Sequence, residues 1–344
     1  MKKRLLTILA LALAIFMAAG CSSPKEKQGG EKASVKVALL LPGEVTDGGW
    51  NAEAHEGLLR LEQEFGAKIS YMEHVEQSDM QEAMRNYAVE KYDYIIGHGF
   101  QFADSMFAVA TEFPDTRFIV NSATVFQEPN VASCNVDNKQ QGFLAGVFAA
   151  KMTETGVIGG ISSIEIPSLV NYILGAEIGA KYVNPDIKYL SAWTGSSTDV
   201  AKAKELSKAL VDQGADVLLP YASQGDNGVY ETARETGSIC VGVISDRHAD
   251  APDQIPTSIR CKIGDADFGL IRDLVNGDID WKAGVYDMGV KEGIVGYYDL
   301  QGKWLQEVPA EVWEYCKKVE KAIAEGVINI DDTTVDNVHL LPDV

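Results

Sequence analysis

Acids, amides and flat rings collect at a few places in this chain, in combinations that suit holding a small polar molecule. The first is Asp47-Gly48-Gly49-Trp50-Asn51, followed by His55-Glu56-Gly57 and lying just after an apolar run. Adjacent glycines let the segment turn tightly, and Asp47, Trp50, Asn51 and His55 surround the turn. A carboxylate, an amide and rings at a strand end fit recognition of a polar heterocycle. Asn51 also reads as a helix cap and Trp50 as a packing residue. Gly97-His98-Gly99-Phe100 follows a second apolar run. Its glycines let main chain approach a ligand, and Phe100 offers an apolar wall.

Three more segments end apolar runs in the second half: Trp193 with Thr194 to Asp199, Tyr221 with Ala222 to Gly228, and Ser245-Asp246-Arg247. Trp193 or Tyr221 would stack on a planar ligand, and Asp246 would accept two hydroxyl hydrogen bonds. Asp226, like Asp199, also has a plainer reading as a helix starter.

Catalysis asks for more than these residues show. A general acid or base must be poised within reach of a reacting atom, and Asp47 or Asp246 would be the carboxylate of an exported nucleosidase. No G-x-G-x-x-G follows the first strand, and no phosphate-loop, H-E-x-x-H, C-x-x-C or G-x-S-x-G pattern occurs. The expectation is therefore a binding protein with no catalytic residues, no cofactor and no metal. Beyond Cys21 stand Cys134, Cys240, Cys261 and Cys316, scattered as small core residues are, with a Cys240 to Cys261 bridge left open.

Elements that could position these groups alternate along the chain. Val35 to Leu41, Ile69 to Met72, Tyr94 to Ile96, Arg117 to Asn121 and Val131 to Asn135 read as strands. Helical patterns lie between or after them at Gly57 to Phe65, Met80 to Glu90, Ala103 to Glu112 and Gln140 to Met152. A second cycle runs from Val157 to Asn276. Such a βαβα rhythm makes mostly parallel sheets covered by helices. The expected division is an N-terminal lobe over 35–155, completed by about 284–330, and a C-terminal lobe over 156–283. Ligands in open α/β sheets bind beyond the carboxyl ends of strands, so two facing lobes make a cleft, and chain crossings between them make a hinge.

The start of the chain carries a separate signal. Lys2, Lys3 and Arg4 precede an apolar run from Leu5 to Ala19, and Ala18-Ala19-Gly20-Cys21 places a cysteine at a small-residue cleavage site. That run is shorter than the roughly 20 residues a membrane-spanning helix needs, so residues 1–20 read as a lipoprotein signal peptide. Cys21 would carry the lipid and 21–34 would be a flexible tether. The formal charge of the chain is −20, which argues against a nucleic-acid partner.

Together, the export signal, Asp47 to Asn51 with Glu56-Gly57, Gly142-Phe143-Leu144-Ala145-Gly146, Gly195 to Glu205, and Gly214-Ala215-Asp216 through Asn227-Gly228-Val229 resemble the basic membrane lipoprotein family of ABC-transporter substrate-binding proteins. The resemblance runs over roughly 35–300. It implies a type I periplasmic-binding-protein fold that captures a small molecule and presents it to a membrane permease with its ATPase, from the extracytoplasmic face. Relatives often hold purine nucleosides between two aromatic rings, so the resemblance implies a purine nucleoside as ligand, with a free purine base or another polar heterocycle next. By motif position, Asp47 and Asn51 join the first-lobe polar set, His55 lies where the first-lobe ring is expected, and Trp193 is the second-lobe ring. Asp246 matches the ribose-binding acid, and Arg260 stands where a lysine is common, with Lys262 close by. Ser197 replaces a common aromatic. A sensory receptor of the same fold is the alternative.

Overall fold

The computed structural model describes residues 35–344; Cys21 and the expected signal peptide and tether lie outside the described residues. No helix of the described residues is long and apolar enough to cross a membrane.

The first sheet has the order β12-β5-β4-β3-β1-β2. Its strands are β1 (Lys36–Leu40), β2 (Lys68–Met72), β3 (Tyr94–Gly97), β4 (Arg117–Asn121), β5 (Val131–Val136) and β12 (Val285–Met288), all paired in parallel. The central strands are buried end to end, which is why β1, β3 and β4 read as unbroken apolar runs. Helices α1 (Trp50–Phe65), α2 (Met80–Val89) and α3 (Ala103–Ala110) connect them.

The second lobe carries β6 (Val157–Ser162), β7 (Lys188–Trp193), β8 (Val217–Tyr221) and β9 (Ile239–Cys240) in the order β7-β6-β8-β9. β10 (Gly242–Ile244), β11 (Ser258–Cys261) and β13 (Val295–Tyr297) extend it, joined through the Val241 N–H to the Leu218 carbonyl at 3.1 Å. Its helices are α4 (Asn138–Met152), α5 (Pro167–Val183), α6 (Val200–Asp212) and α7 (Asp226–Thr236). Asp137 and Asp199 start α4 and α6 by accepting from Gln140 N and Lys202 N, each at 2.9 Å. α4 and α5 cross at backbone contact, because a Cβ on Gly142 or Gly146 would overlap the Tyr172 or Ala176 carbonyl.

The lobe boundaries differ from those expected. α4 packs on α5, β8, β11 and β13, so the chain passes into the second lobe at Asp137 rather than at 155. α8 (Ile263–Asn276) packs on α1 and β5, so it belongs to the first lobe although it falls within 156–283. Gly57 and Gly264 allow that contact, since a Cβ on Gly264 would overlap the Glu53 carbonyl. Of the tail, β12 returns to the first sheet beside β5, but β13 pairs antiparallel with β11 in the second. α9 (Trp304–Glu307) follows, and α10 (Ala310–Ala324) packs on α4 and β13. Periodicity identifies a helix by its apolar face and is silent on which sheet that face covers. The chain thus crosses between the lobes near 137, 262 and 289.

Candidate functional site

Each sheet reverses its strand order once, between β1 and β3 in the first lobe and between β6 and β8 in the second. A crevice opens beyond the strand ends at such a switch point. Around both sheets the backbone is strained near these ends: His74, Ser122, Ser223 and Ile244 have φ of 52°, 55°, 59° and 70°, Ile244 closing β10, Ser122 directly following β4, and His74 and Ser223 lying two residues past β2 and β8. Non-glycine residues there cost free energy and cluster at ligand-binding rims.

At the first switch point Asp47 organises the start of α1. Its Oδ1 accepts from Gly49 N and Ala52 N at 2.9 and 3.0 Å, and its Oδ2 from Asn51 N and Asn51 Nδ2 at 3.0 and 2.8 Å. This satisfies first-turn donors, so the helix begins at Trp50 rather than at Gly57, and most of the expected loop is helical. Asn51 is buried, and its Oδ1 has no hydrogen-bond partner among the described residues.

The early helix start separates the two candidate rings. Trp50 stands at the first turn, stacked on His98 with ring centroids 3.7 Å apart. His55 lies more than a turn further along, where its ring meets Tyr71 edge-on at 4.5 Å, beside the edge strand β2. Burial lowers the His55 pKa against the opposing pull of Glu73 and Glu56. Trp50 therefore stands at the switch point and His55 nearer the sheet edge, where its Nε2 is buried with no hydrogen-bond partner among the described residues.

Beneath Trp50 runs a buried line of polar groups. His98 Nε2 lies 3.0 Å from the Trp50 carbonyl, and His98 Nδ1 lies 3.1 Å from Asn121 Nδ2. The same Asn121 nitrogen donates to Asp267 Oδ2 at 2.8 Å. Burial pushes His98 down to about 3 and Asp267 up to about 7. Sequence reading quoted His98 within its glycine segment without giving it a role, and it missed Asn121 and Asp267. The available signals were a polar residue closing the apolar strand Arg117–Asn121 and an acid on the apolar face of α8.

At the second switch point Ser162 Oγ donates to the Tyr221 carbonyl at 3.1 Å. The Tyr221 hydroxyl donates to Gln141 Oε1 and accepts from Asn138 Nδ2, both at 2.8 Å, and its ring stacks on Tyr172 at 4.0 Å. One face and the polar tip of Tyr221 are thus already engaged. Trp193 ends the edge strand β7, half-buried against the main core.

Asp226 is buried, accepts from Ala222 N at 2.6 Å, and is raised to about 7 by burial against the pull of Arg247. Asp246 is exposed on the β10 rim, accepting from His248 N at 3.1 Å and from Gln301 Nε2. Arg247 reaches the other lobe: its Nη1 and Ser245 Oγ both donate to the Gly48 carbonyl, at 3.2 and 3.3 Å.

Arg260 lies within β11, 4.0 Å from Glu320 on α10. Lys262, one residue past that strand at a crossing between the lobes, acts electrostatically on Glu53, which burial raises to about 7. Phe100 is exposed beside the β3 end. The four cysteines of the described residues are free and buried, so Cys240 and Cys261 form no bridge. No cluster of ligating side chains that could hold a metal ion occurs among the described residues.

Comparison with known proteins decides the family. A model of the family described as ABC transporter substrate-binding protein PnrA-like (Bmp) matches residues 34–334. The chain belongs to that family. As a PnrA-like substrate-binding protein it binds a small molecule for an ABC importer, with a permease and ATPase as partners, and is not an enzyme.

Among its relatives, an uncharacterized lipoprotein of Pyrococcus horikoshii is 30% identical over 321 residues, 88% of this chain and 78% of the relative. A purine-binding protein of Brucella abortus is 27% identical over 91% of this chain and 86% of its own. An ABC transporter nucleoside-binding protein of Lactococcus lactis is 30% identical over 69% and 70%. A solved solute-binding protein of an ABC transporter system from Aeropyrum pernix shares the two-lobed type I fold, with a TM-score of 0.74, 20% identity, and coverage of 86% of this chain and 92% of its own.

Proposed function

We propose that this PnrA-like protein captures a purine nucleoside and is anchored through a lipid on Cys21 at the extracytoplasmic face of the cell membrane. The base lies against Trp50, with Trp193 closing over it from the second lobe. Asn51, Asp246 and a cation at the β11 end, Arg260 or Lys262, hold the polar edge and the ribose. The observation that carries this reading is the Trp50 indole stacked on His98 at the first switch point, followed in the chain by Asn51, whose buried Oδ1 has no partner among the described residues. A flat ring and a buried acceptor at one helix start suit a planar ligand with donors on its edge, and an unmet buried acceptor costs about 1 to 3 kcal/mol until a ligand supplies a donor. The purine-binding and nucleoside-binding relatives support the ligand class, and the relatives named as lipoproteins support the anchor.

Calorimetry with inosine, guanosine, adenosine, adenine and hypoxanthine tests the ligand. Micromolar binding of a nucleoside, weaker for its free base, is expected; folded protein that binds none of the five sinks the purine reading. For the anchor, palmitate labelling that survives in Cys21→Ala would remove Cys21 from it.

A further inference from the structure

The Trp50 indole is supported on its inner face by His98, and the chemistry of that contact has only one arrangement. A carbonyl oxygen accepts and never donates, so the His98 nitrogen 3.0 Å from the Trp50 carbonyl must carry the proton. An amide nitrogen donates and never accepts, so His98 Nδ1, facing Asn121 Nδ2 at 3.1 Å, must be the bare nitrogen. The same Asn121 nitrogen donates its other hydrogen to Asp267 Oδ2 at 2.8 Å, while Asn121 Oδ1 and Asp267 Oδ1 have no partner among the described residues; the reversed amide would need protons on both nitrogens of the buried His98, which burial opposes. The Cys134 thiol also bonds Asp267. His98, Asn121 and Asp267 are 0%, 0% and 2% exposed, so no solvent offers an alternative partner.

We propose that His98 is the positioning residue of the ligand-binding Trp50 ring, its Nε2–H fixing the Trp50 carbonyl while its imidazole face sets the tilt of the indole. The proposal rests on the reading of Trp50 as the ring that meets the ligand. His98 touches no ligand itself and acts through Trp50. Burial keeps it neutral, with its pKa near 3, as a donor on one side and acceptor on the other requires. The line ends on α8, which packs on β5 and α1, so the ring is braced by a helix of its own lobe. A ring held before the ligand arrives avoids the ordering cost that a free indole would bear on binding.

Fluorine NMR of the ligand-free protein carrying 5-fluorotryptophan tests this, with Trp50 identified by Trp50→Phe. The expected result is one sharp Trp50 signal, broadened or doubled in His98→Phe, which keeps a ring without the donor, and in His98→Gln, which keeps a donor without the ring. The remaining tryptophan signals stay in place. Nitrogen NMR should show the Nε2–H tautomer of His98 from pH 5 to 8, a readout on the unaltered protein that needs no variant to fold. An Nδ1–H tautomer, an imidazolium at pH 6, or an unchanged Trp50 signal in both variants would overturn the proposal.

Inosine calorimetry supplies the binding arm, with affinity about tenfold lower in each folded variant. Equal inosine affinity in the wild type and both variants also overturns the proposal. If the wild type binds no purine while the Trp50 signal behaves as expected, the ligand assignment fails and the positioning role stands.

Discussion

The two switch points occupy the same place in their sheets and are furnished differently. In the first lobe, between β1 and β3, a tryptophan lies on a histidine whose every polar group is paired, over a line of buried side chains. In the second, between β6 and β8, Tyr221 is turned inward, with its hydroxyl tied to the first turn of α4 and its ring on Tyr172. Asp226 is buried just past β8, and further out, on the β10 rim, stand Asp246 and Arg247. On the function proposed above, the first lobe offers a prebuilt surface and the second adds polar groups, so that the ligand docks on the first lobe and draws the second over it.

The most disruptive way to break the comparison is to move α8. Gly264→Ala would drive a methyl group into the Glu53 carbonyl, and backbone cannot yield as a flexible side chain can. The expected loss is about 3 kcal/mol of stability, read as a lowered denaturant midpoint, together with a broadened Trp50 fluorine signal because Asp267 moves with the helix. Asp47→Ala comes next. It removes the acceptor of four hydrogen bonds at the start of α1 and should cost about 2 kcal/mol. Urea titration would check it, and a loss below a few tenths of that would mean water replaces the carboxylate without penalty.

Titration sharpens the same contrast. Asp226 in the second lobe has a folded-state pKa raised to about 7. The unfolded chain therefore releases this proton near pH 4 while the folded one keeps it, and stability declines as pH rises from about 4 to 7. His98 in the first lobe is the opposite case, lowered to about 3, so stability climbs as pH rises from about 3 to 6.5. Asp267 and Glu53, both raised to about 7, oppose His98 within the same lobe. Asp226→Asn should accordingly flatten a falling limb of the stability profile between pH 4 and 7, and His98→Gln a rising limb below 6.5. Denaturation midpoints measured at half-unit pH steps decide it; shifts of the same sign in both variants would contradict the assignment.

The order of strands and helices was legible because buried parallel strands are continuous apolar runs and the helices between them are amphipathic. Asp47, Asn51 and the glycine pair marked the first rim for the same local reason. The lobe membership of α4 and α8 was hidden, since an apolar face does not say which sheet it covers. The distance between Trp50 and His55 was hidden for another reason: with Asp47 accepting from the first-turn donors, the helix starts at Trp50 and carries His55 more than a turn further on. The His98, Asn121 and Asp267 line joins three distant segments, and only the fold brings them together. Trp193 was readable as a ring at a strand end, whereas the inward engagement of Tyr221 depends on α4 arriving from the other side of a crossing.

The smallest expected effect lies at the contact between the lobes. Arg247 reaches Gly48 while it also pairs with Asp250 at 2.7 Å and lies 5.6 Å from the Tyr230 ring centre. Arg247→Met keeps most of the packing and removes the charge, so stability should change by less than about 1 kcal/mol, as for partly exposed ion pairs. What should change is the separation of the lobes, because Ser245 would remain as a single donor to the Gly48 carbonyl. Small-angle scattering of the ligand-free protein should then show a larger radius of gyration in the variant than in the wild type, with the difference vanishing at saturating ligand. If the two proteins scatter identically without ligand, the contact does not hold the lobes together, and the second lobe must close by its binding groups alone.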